Sequence, residues 1–164
     1  MTINVEQLLA KVATGLLING QWRDAASGET FDVENPATGE VLATLASANS
    51  EDAVAALDAA CAVQDEWART TPRERSNILR RAFELVTERK DEFAALMTLE
   101  MGKPLAEAYG EVTYGAEYLR WFSEEAVRDY GRSLPAPEGT LQMVTRRKPV
   151  GPCLLITPWN FPLA

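Results

Sequence analysis

The sequence predicts an α/β fold built around an incomplete sheet. Three observations lead there: turn-bounded β segments in residues 1–46, helical periodicity over residues 50–130, and one continuous apolar run, Cys153-Leu154-Leu155-Ile156. Such a run suits a parallel strand buried on both faces, whereas a half-exposed strand alternates. A chain of 164 residues is one domain or one piece of something larger.

The elements follow in order. Leu16-Leu17-Ile18 and Gln21-Trp22 flank Asn19-Gly20, the pair best able to hold φ > 0 at both centres of a type I′ turn, which predicts a hairpin. Asn35-Pro36-Ala37-Thr38-Gly39 is a second turn signal, leading into a strand over Glu40-Val41-Leu42-Ala43-Thr44-Leu45. Together these predict a small antiparallel meander. Ser50 is the expected cap of the first helix, with Glu51 and Asp52 at its positive end and Val54, Leu57 and Cys61 as an apolar stripe.

Thr71-Pro72-Arg73-Glu74 has the form of a capping box, with Ile78, Ala82, Leu85 and Val86 as the expected buried face beyond it. A third helix runs from about Asp91 to Met101 and stops at Gly102. Pro104 opens a long fourth helix to about Tyr130. Val112, Ala116, Leu119 and Ser123 line one of its sides, and Tyr114, Tyr118 and Trp121 another. Gly110 and Gly115 inside it each cost about 1 kcal/mol relative to alanine, so something is expected to pack close to the backbone. Residues 131–139 read as a connector and residues 140–147 as a strand ending in Arg146-Arg147-Lys148, the charges of a solvated or ion-paired edge. The expected organisation is therefore 1–130, 131–149 and 150–164.

Composition narrows the chemistry. The 16 Lys+Arg against 24 Asp+Glu leave a net charge of −8, which argues against nucleic acid and anionic membrane surfaces as partners. There is no histidine, so Ser-His-Asp triads, Cys-His dyads and His-ligated metals are excluded within these residues. Two cysteines are too few for a disulfide framework or a Cys-only zinc site. Cys61 shares the apolar helical stripe and Cys153 opens the apolar run, so both are expected as packed small hydrophobes rather than nucleophiles. No apolar run reaches membrane-spanning length, and a cytoplasmic location is expected. Glu100 falls on an otherwise apolar stripe and is expected to reach a backbone donor or Lys103.

Pro158-Trp159-Asn160-Phe161-Pro162 is the segment richest in chemistry. Its prolines stiffen a loop at the carboxyl end of the expected strand, where open α/β sheets bind ligands. A fixed, uncharged amide there has the attributes of an oxyanion-hole donor. The other reading of Asn160 is that it only satisfies loop backbone groups.

This pentapeptide resembles the signature of the aldehyde dehydrogenase superfamily, in which such a loop follows the first strand of the cofactor fold. Ile18-Asn19-Gly20-Gln21-Trp22, Asn35-Pro36-Ala37-Thr38-Gly39-Glu40, Glu100-Met101-Gly102-Lys103-Pro104 and Pro149-Val150-Gly151-Pro152 match the family's patterns in the same order. Within the family, Leu105-Ala106-Glu107-Ala108 and Tyr118-Leu119-Arg120-Trp121-Phe122-Ser123-Glu124-Glu125-Ala126 are most similar to succinate-semialdehyde dehydrogenases. The resemblance implies the amino-terminal part of a Rossmann-type cofactor domain with flanking helices and a bridging, oligomerising strand.

It also implies a chemistry: NAD- or NADP-dependent oxidation of a small aldehyde, succinate semialdehyde first, to the acid through a cysteine thioester. Asn160 matches the oxyanion-hole asparagine, and Ile156, Thr157, Pro158 and Trp159 the loop that contacts the nicotinamide end of the cofactor. Phe161 matches an aromatic at the inner end of the substrate tunnel. Tyr114 is similar in placement to a tunnel-lining residue, its other reading being an aromatic stripe packed on its neighbours. The strand carrying Arg146-Arg147-Lys148 matches the subunit-joining element, so a homo-oligomer is expected of the full-length enzyme. The family's nucleophilic cysteine and glutamate base match no position here, which leads us to expect a catalytically silent fragment. The alternative expectation is a stand-alone helical module or decoy that docks on full-length subunits.

Overall fold

The computed structural model describes residues 3–164, and local signals account for most of its elements. Helix α1 (Val5–Leu9) is capped by the Asn4 side chain, and a hairpin follows from β1 (Leu16–Ile18) and β2 (Gln21–Arg23). Asn19 and Gly20 both take positive φ, 52° and 73°, the type I′ conformation that the dipeptide predicts. Strands β3 (Thr30–Glu34) and β4 (Val41–Ala46) form a second antiparallel hairpin across the 35–39 turn, where Gly39 has φ 74°. The expected meander is thus corrected to two separate two-stranded sheets. The β3 signal is short but present: Phe31 and Val33 alternate with Thr30, Asp32 and Glu34.

Four helices follow. In α2 (Ser50–Arg69) the cap is Asn49, not Ser50: its side chain accepts from Glu51 and Asp52 while Asp52 reaches back to the Asn49 N–H. Helix α3 (Pro72–Glu88) has the predicted capping box of Thr71 and Glu74 with Pro72 in its first turn. Helix α4 (Lys90–Met101) stops where Gly102 turns left-handed at φ 75°, close to the Pro36 ring. Helix α5 (Leu105–Glu125) begins after Pro104 and ends about five residues short of the predicted limit at Tyr130. The core lies where α5 meets α3 and α4: Ala94, Met97, Ala108 and Val112 are buried, with Val86, Phe93, Tyr109 and Leu163 packed against them.

The faces of α2 and α3 differ from expectation. Val54, Leu57 and Cys61 lie in the open, and on α3 Ile78 and Leu85 are exposed while Ala82 and Val86 are half-buried. Periodicity locates a stripe but not what covers it, and among the described residues α2 meets little besides β1.

Residues 131–139 are more than a connector, since β5 (Arg132–Pro135) pairs with β6 (Gln142–Thr145) as a third antiparallel hairpin. Past β6, Arg147 Nε sits 3.3 Å from Asp129 Oδ1, an ion-paired edge. The apolar run corrects the largest expectation. Leu154, Leu155 and Ile156 are 84–85% exposed and form no strand, because no described strand lies beside them to take their backbone hydrogen bonds. Cys153 is exposed too, so neither cysteine is a packed hydrophobe. No helix among the described residues is long and apolar enough to cross a membrane, and no described group of His, Cys, Asp and Glu could hold a metal.

Candidate functional site

The α4–α5 junction builds the site. Gly102 ends one helix, Pro104 starts the next, and Lys103 between them extends its side chain along the first turns of α5. The inward stripe of α5 runs Ala108, Glu111, Val112, Gly115 and Ala116, all buried. One member of that stripe is a carboxylate, and Lys103 meets it: Lys103 and Glu111 form an ion pair with side-chain exposures of 9% and 1%.

The pair holds the 160–163 segment. Lys103 Nζ donates to the Asn160 carbonyl at 2.7 Å, and Glu111 Oε1 accepts from the Leu163 N–H at 2.9 Å. The Phe161 ring lies under the ammonium, its centroid 4.4 Å from Nζ, a cation–π distance. A lysine ammonium has three N–H donors, and carboxylate, carbonyl and ring face occupy its three directions. Gly115 explains how the segment comes so near the helix: a Cβ there would stand 3.0 Å from the Leu163 oxygen and 3.1 Å from its Cγ. The close packing expected from the two helix glycines is real at Gly115, whereas Gly110 has open space around it.

A cleft of about 600 Å³ opens over this junction, lined among others by Lys103, Glu107, Glu111, Tyr114, Asn160 and Phe161. Asn160 is exposed at the cleft, and its carboxamide makes no hydrogen bond among the described residues while its backbone is fixed. The held main chain fixes where this side chain starts, and the uncommitted amide leaves its N–H groups available as donors at the cleft. The Tyr114 hydroxyl is 2.6 Å from that of Tyr118, their rings edge to face at 5.2 Å, and this hydrogen bond raises the Tyr118 phenol above its ordinary value.

The structure therefore brings Asn160, Phe161 and Tyr114 to one cleft. It does not bring Ile156, Thr157, Pro158 and Trp159 there; these four are exposed along the chain leading in. Neither Cys61 nor Cys153 lines the cleft. Glu100 is exposed, and the lysine expected to answer it turns to Glu111 instead. Sequence reasoning missed Glu111. Its signal was available: at i+3 from Ala108 and i+4 before Gly115 it is a carboxylate within the small-residue stripe.

A sequence profile of the aldehyde dehydrogenase family matches residues 22–164. The chain belongs to the aldehyde dehydrogenase family. It is similar to the succinate-semialdehyde dehydrogenase of Paenarthrobacter nicotinovorans, 75% identical over 124 residues, which are 76% of this chain and 28% of that protein. It is also similar to the glutarate-semialdehyde dehydrogenase of Pseudomonas putida, 46% identical over 147 residues, 90% of this chain and 31% of that protein. The crystal structure of an NADP-dependent enzyme of E. coli superposes with a TM-score of 0.90 at 42% identity, covering 99% of this chain and 33% of that one. The chain thus spans about a third of the length of the family members it matches, and it has the fold of an aldehyde dehydrogenase's amino-terminal part with its small, incomplete sheets.

Proposed function

We propose that this chain supplies the oxyanion-stabilising wall of an NAD- or NADP-dependent semialdehyde dehydrogenase, with Asn160 as the donor. The observation that carries the reading is the Asn160 loop itself, anchored through its carbonyl to a buried lysine while the side-chain amide stays free at a cleft. When a nucleophile adds to an aldehyde carbon, the carbonyl oxygen becomes negative. A fixed N–H donor beside it lowers the barrier without reorganising. Phe161 and Tyr114 flank Asn160 on the same cleft and form the apolar side of a path for a short aliphatic aldehyde.

A nicotinamide cofactor bound beside the cleft would supply the hydride acceptor. Ile156, Thr157, Pro158 and Trp159 would form one wall of its site, and their exposure leaves backbone and ring surfaces free for that contact. The two relatives named above are succinate- and glutarate-semialdehyde dehydrogenases, and on that likeness we assign the substrate class as a short ω-carboxy aldehyde, succinate semialdehyde first. With neither cysteine at the cleft, residues 1–164 alone hold a donor without a nucleophile, and we propose that they are catalytically silent. We further propose that β6, exposed along its length, joins subunits of the assembled enzyme.

The test is a chimera carrying residues 1–164 ahead of the remainder of the E. coli relative. Asn160→Ala should lower its kcat by about 10²–10³-fold. A kcat within twofold of the parent chimera would overturn the donor role.

A further inference from the structure

Lys103 and Glu111 are a buried charge pair that contributes no group to the reaction as read above, yet each spends a hydrogen bond on the Asn160 segment. Lys103 holds the carbonyl of residue 160 from one side and Glu111 the N–H of residue 163 from the other. Between these points Phe161 is stacked on the ammonium, and beyond them Leu163 seats on the Ala94–Met97–Ala108–Val112 core. The residues just before, 154–159, have no comparable attachment and are exposed. The attachment to α5 therefore begins at residue 160, the position that carries the donor amide, within the turn that the Phe161 N–H closes on the Pro158 carbonyl at 3.1 Å.

We propose that Lys103 and Glu111 are positioning residues, a two-point clamp that fixes the Asn160 main chain so that its amide faces the cleft ready-made; the proposal rests on the reading of Asn160 as the oxyanion donor. A pair serves here better than either charge alone. The carboxylate aims the buried ammonium, and the ammonium leaves one carboxylate oxygen for Leu163. The clamp is also cheap to form, because both partners leave the same short stretch of chain, the end of α4 and the first two turns of α5.

Amide hydrogen exchange on the whole 164-residue chain reads the clamp directly. Glu111→Ala should speed exchange of the Leu163 amide by about tenfold or more, to near the rate of an unprotected amide, while the amides of Ala94 and Ala116, speeded only through the loss of global stability, stay well protected. Glu111→Gln retains an acceptor and should restore most of the Leu163 protection; this variant decides the matter if the alanine variant does not fold. Lys103→Met should shift the Asn160 carbonyl carbon resonance toward that of a carbonyl without a donor. Unchanged Leu163 exchange in a folded Glu111→Ala, or a Leu163 amide left as well protected as those of Ala94 and Ala116, would overturn the clamp.

In the chimera, Lys103→Met should lower kcat at constant KM and lower it no further in the Asn160→Ala background, the non-additivity of two residues acting as one. Additive losses would overturn the positioning role. An Asn160→Ala chimera of unchanged kcat would instead sink the donor reading, while exchange at Leu163 would still decide the clamp.

Discussion

Residues 154–159 and 160–163 are neighbours in one short segment, and the structure treats them oppositely. The first stretch contains the more apolar run, and Ile156 is 84% exposed. The second contains an asparagine and two backbone polar groups that need partners, and it is the one held to the core. Apolar character does not bury a strand by itself, since its N–H and C=O groups must be paired when water leaves them. Residues 160–163 find that pairing in Lys103 and Glu111, residues 154–156 find no adjacent strand. Attachment in this part of the chain follows available partners, the Lys103–Glu111 pair and the core under Leu163, and not apolar content alone.

The largest effect on this contrast should come from breaking the pair. Glu111→Ala leaves a lysine with 9% side-chain exposure facing a carbonyl and a ring without its counter-charge. Removing one member of a buried pair is destabilising by about 3–5 kcal/mol. Urea unfolding of the chain should show a midpoint shifted down accordingly. A loss under about 1 kcal/mol would mean that water reaches Lys103 and that the two stretches are less different than they look.

Asp52 is the same device elsewhere in the fold, and it sharpens the comparison. This buried carboxylate accepts from the Ala26 N–H at 3.1 and 3.2 Å, from the Asn49 N–H at 3.2 Å and from Arg23 at 2.8 Å, tying the end of the first hairpin to α2. The effect of losing it should be smaller than at Glu111, because Arg23 is 42% exposed and regains water when released. The Asn49 N–H foremost, then Ala26 and Arg23, hold its carboxyl below the ordinary aspartate value of 3.8 against the opposing effect of desolvation. A depressed folded value means that this stabilisation is complete above the ordinary value and is lost as pH falls below it through the folded one. Asp52→Asn should therefore be less stable at neutral pH and show a flatter acid limb below about pH 4 in thermal melts. An unchanged acid limb would remove Asp52 from the set of gripping carboxylates.

How much of this was legible follows from sequence separation. Asn19-Gly20, the 35–39 turn, the Thr71–Glu74 box and the Gly102 stop are settled within four or five residues, and each is where the sequence predicts it. Asn49 and Ser50 are both good caps side by side, so the choice fell to Asp52, whose reach back to Asn49 completes the box. The exposed stripe of α2 was illegible for another reason: burial needs a partner surface, and periodicity names only one side of the contact. At the site, Asn160, Phe161 and Tyr114 could be picked out by motif and resemblance. The grip of Glu111 on Leu163 spans 52 residues, and no local pattern encodes a contact that long.

Gly115→Ala separates helix stability from loop anchoring. Alanine gains about 1 kcal/mol of helix propensity over glycine. Its Cβ would press within 3.0 Å of the Leu163 oxygen, so the held segment must retreat by a few tenths of an ångström. The melting temperature should change little or rise slightly, while Leu163 amide protection falls. Protection retained alongside a higher melting temperature would show that the segment can slide along α5 without releasing Glu111.

The smallest effect is expected in the unheld stretch. Ile156 lies 84% exposed and packs on nothing that its loss would uncover, so Ile156→Lys removes no core contact. Surface changes of this kind stay within about 0.5 kcal/mol, and urea unfolding of the variant chain should superimpose on the parent's. Sedimentation should show less self-association, because the lysine puts a charge into the exposed apolar run of residues 154–156. In the chimera the same substitution would be far from silent if residues 153–156 there become the buried strand that their composition predicts: a charged side chain would then face a packed interior, and folding rather than turnover would fail. A large loss in the 164-residue chain itself would show instead that the run is already packed, erasing the distinction between the two stretches.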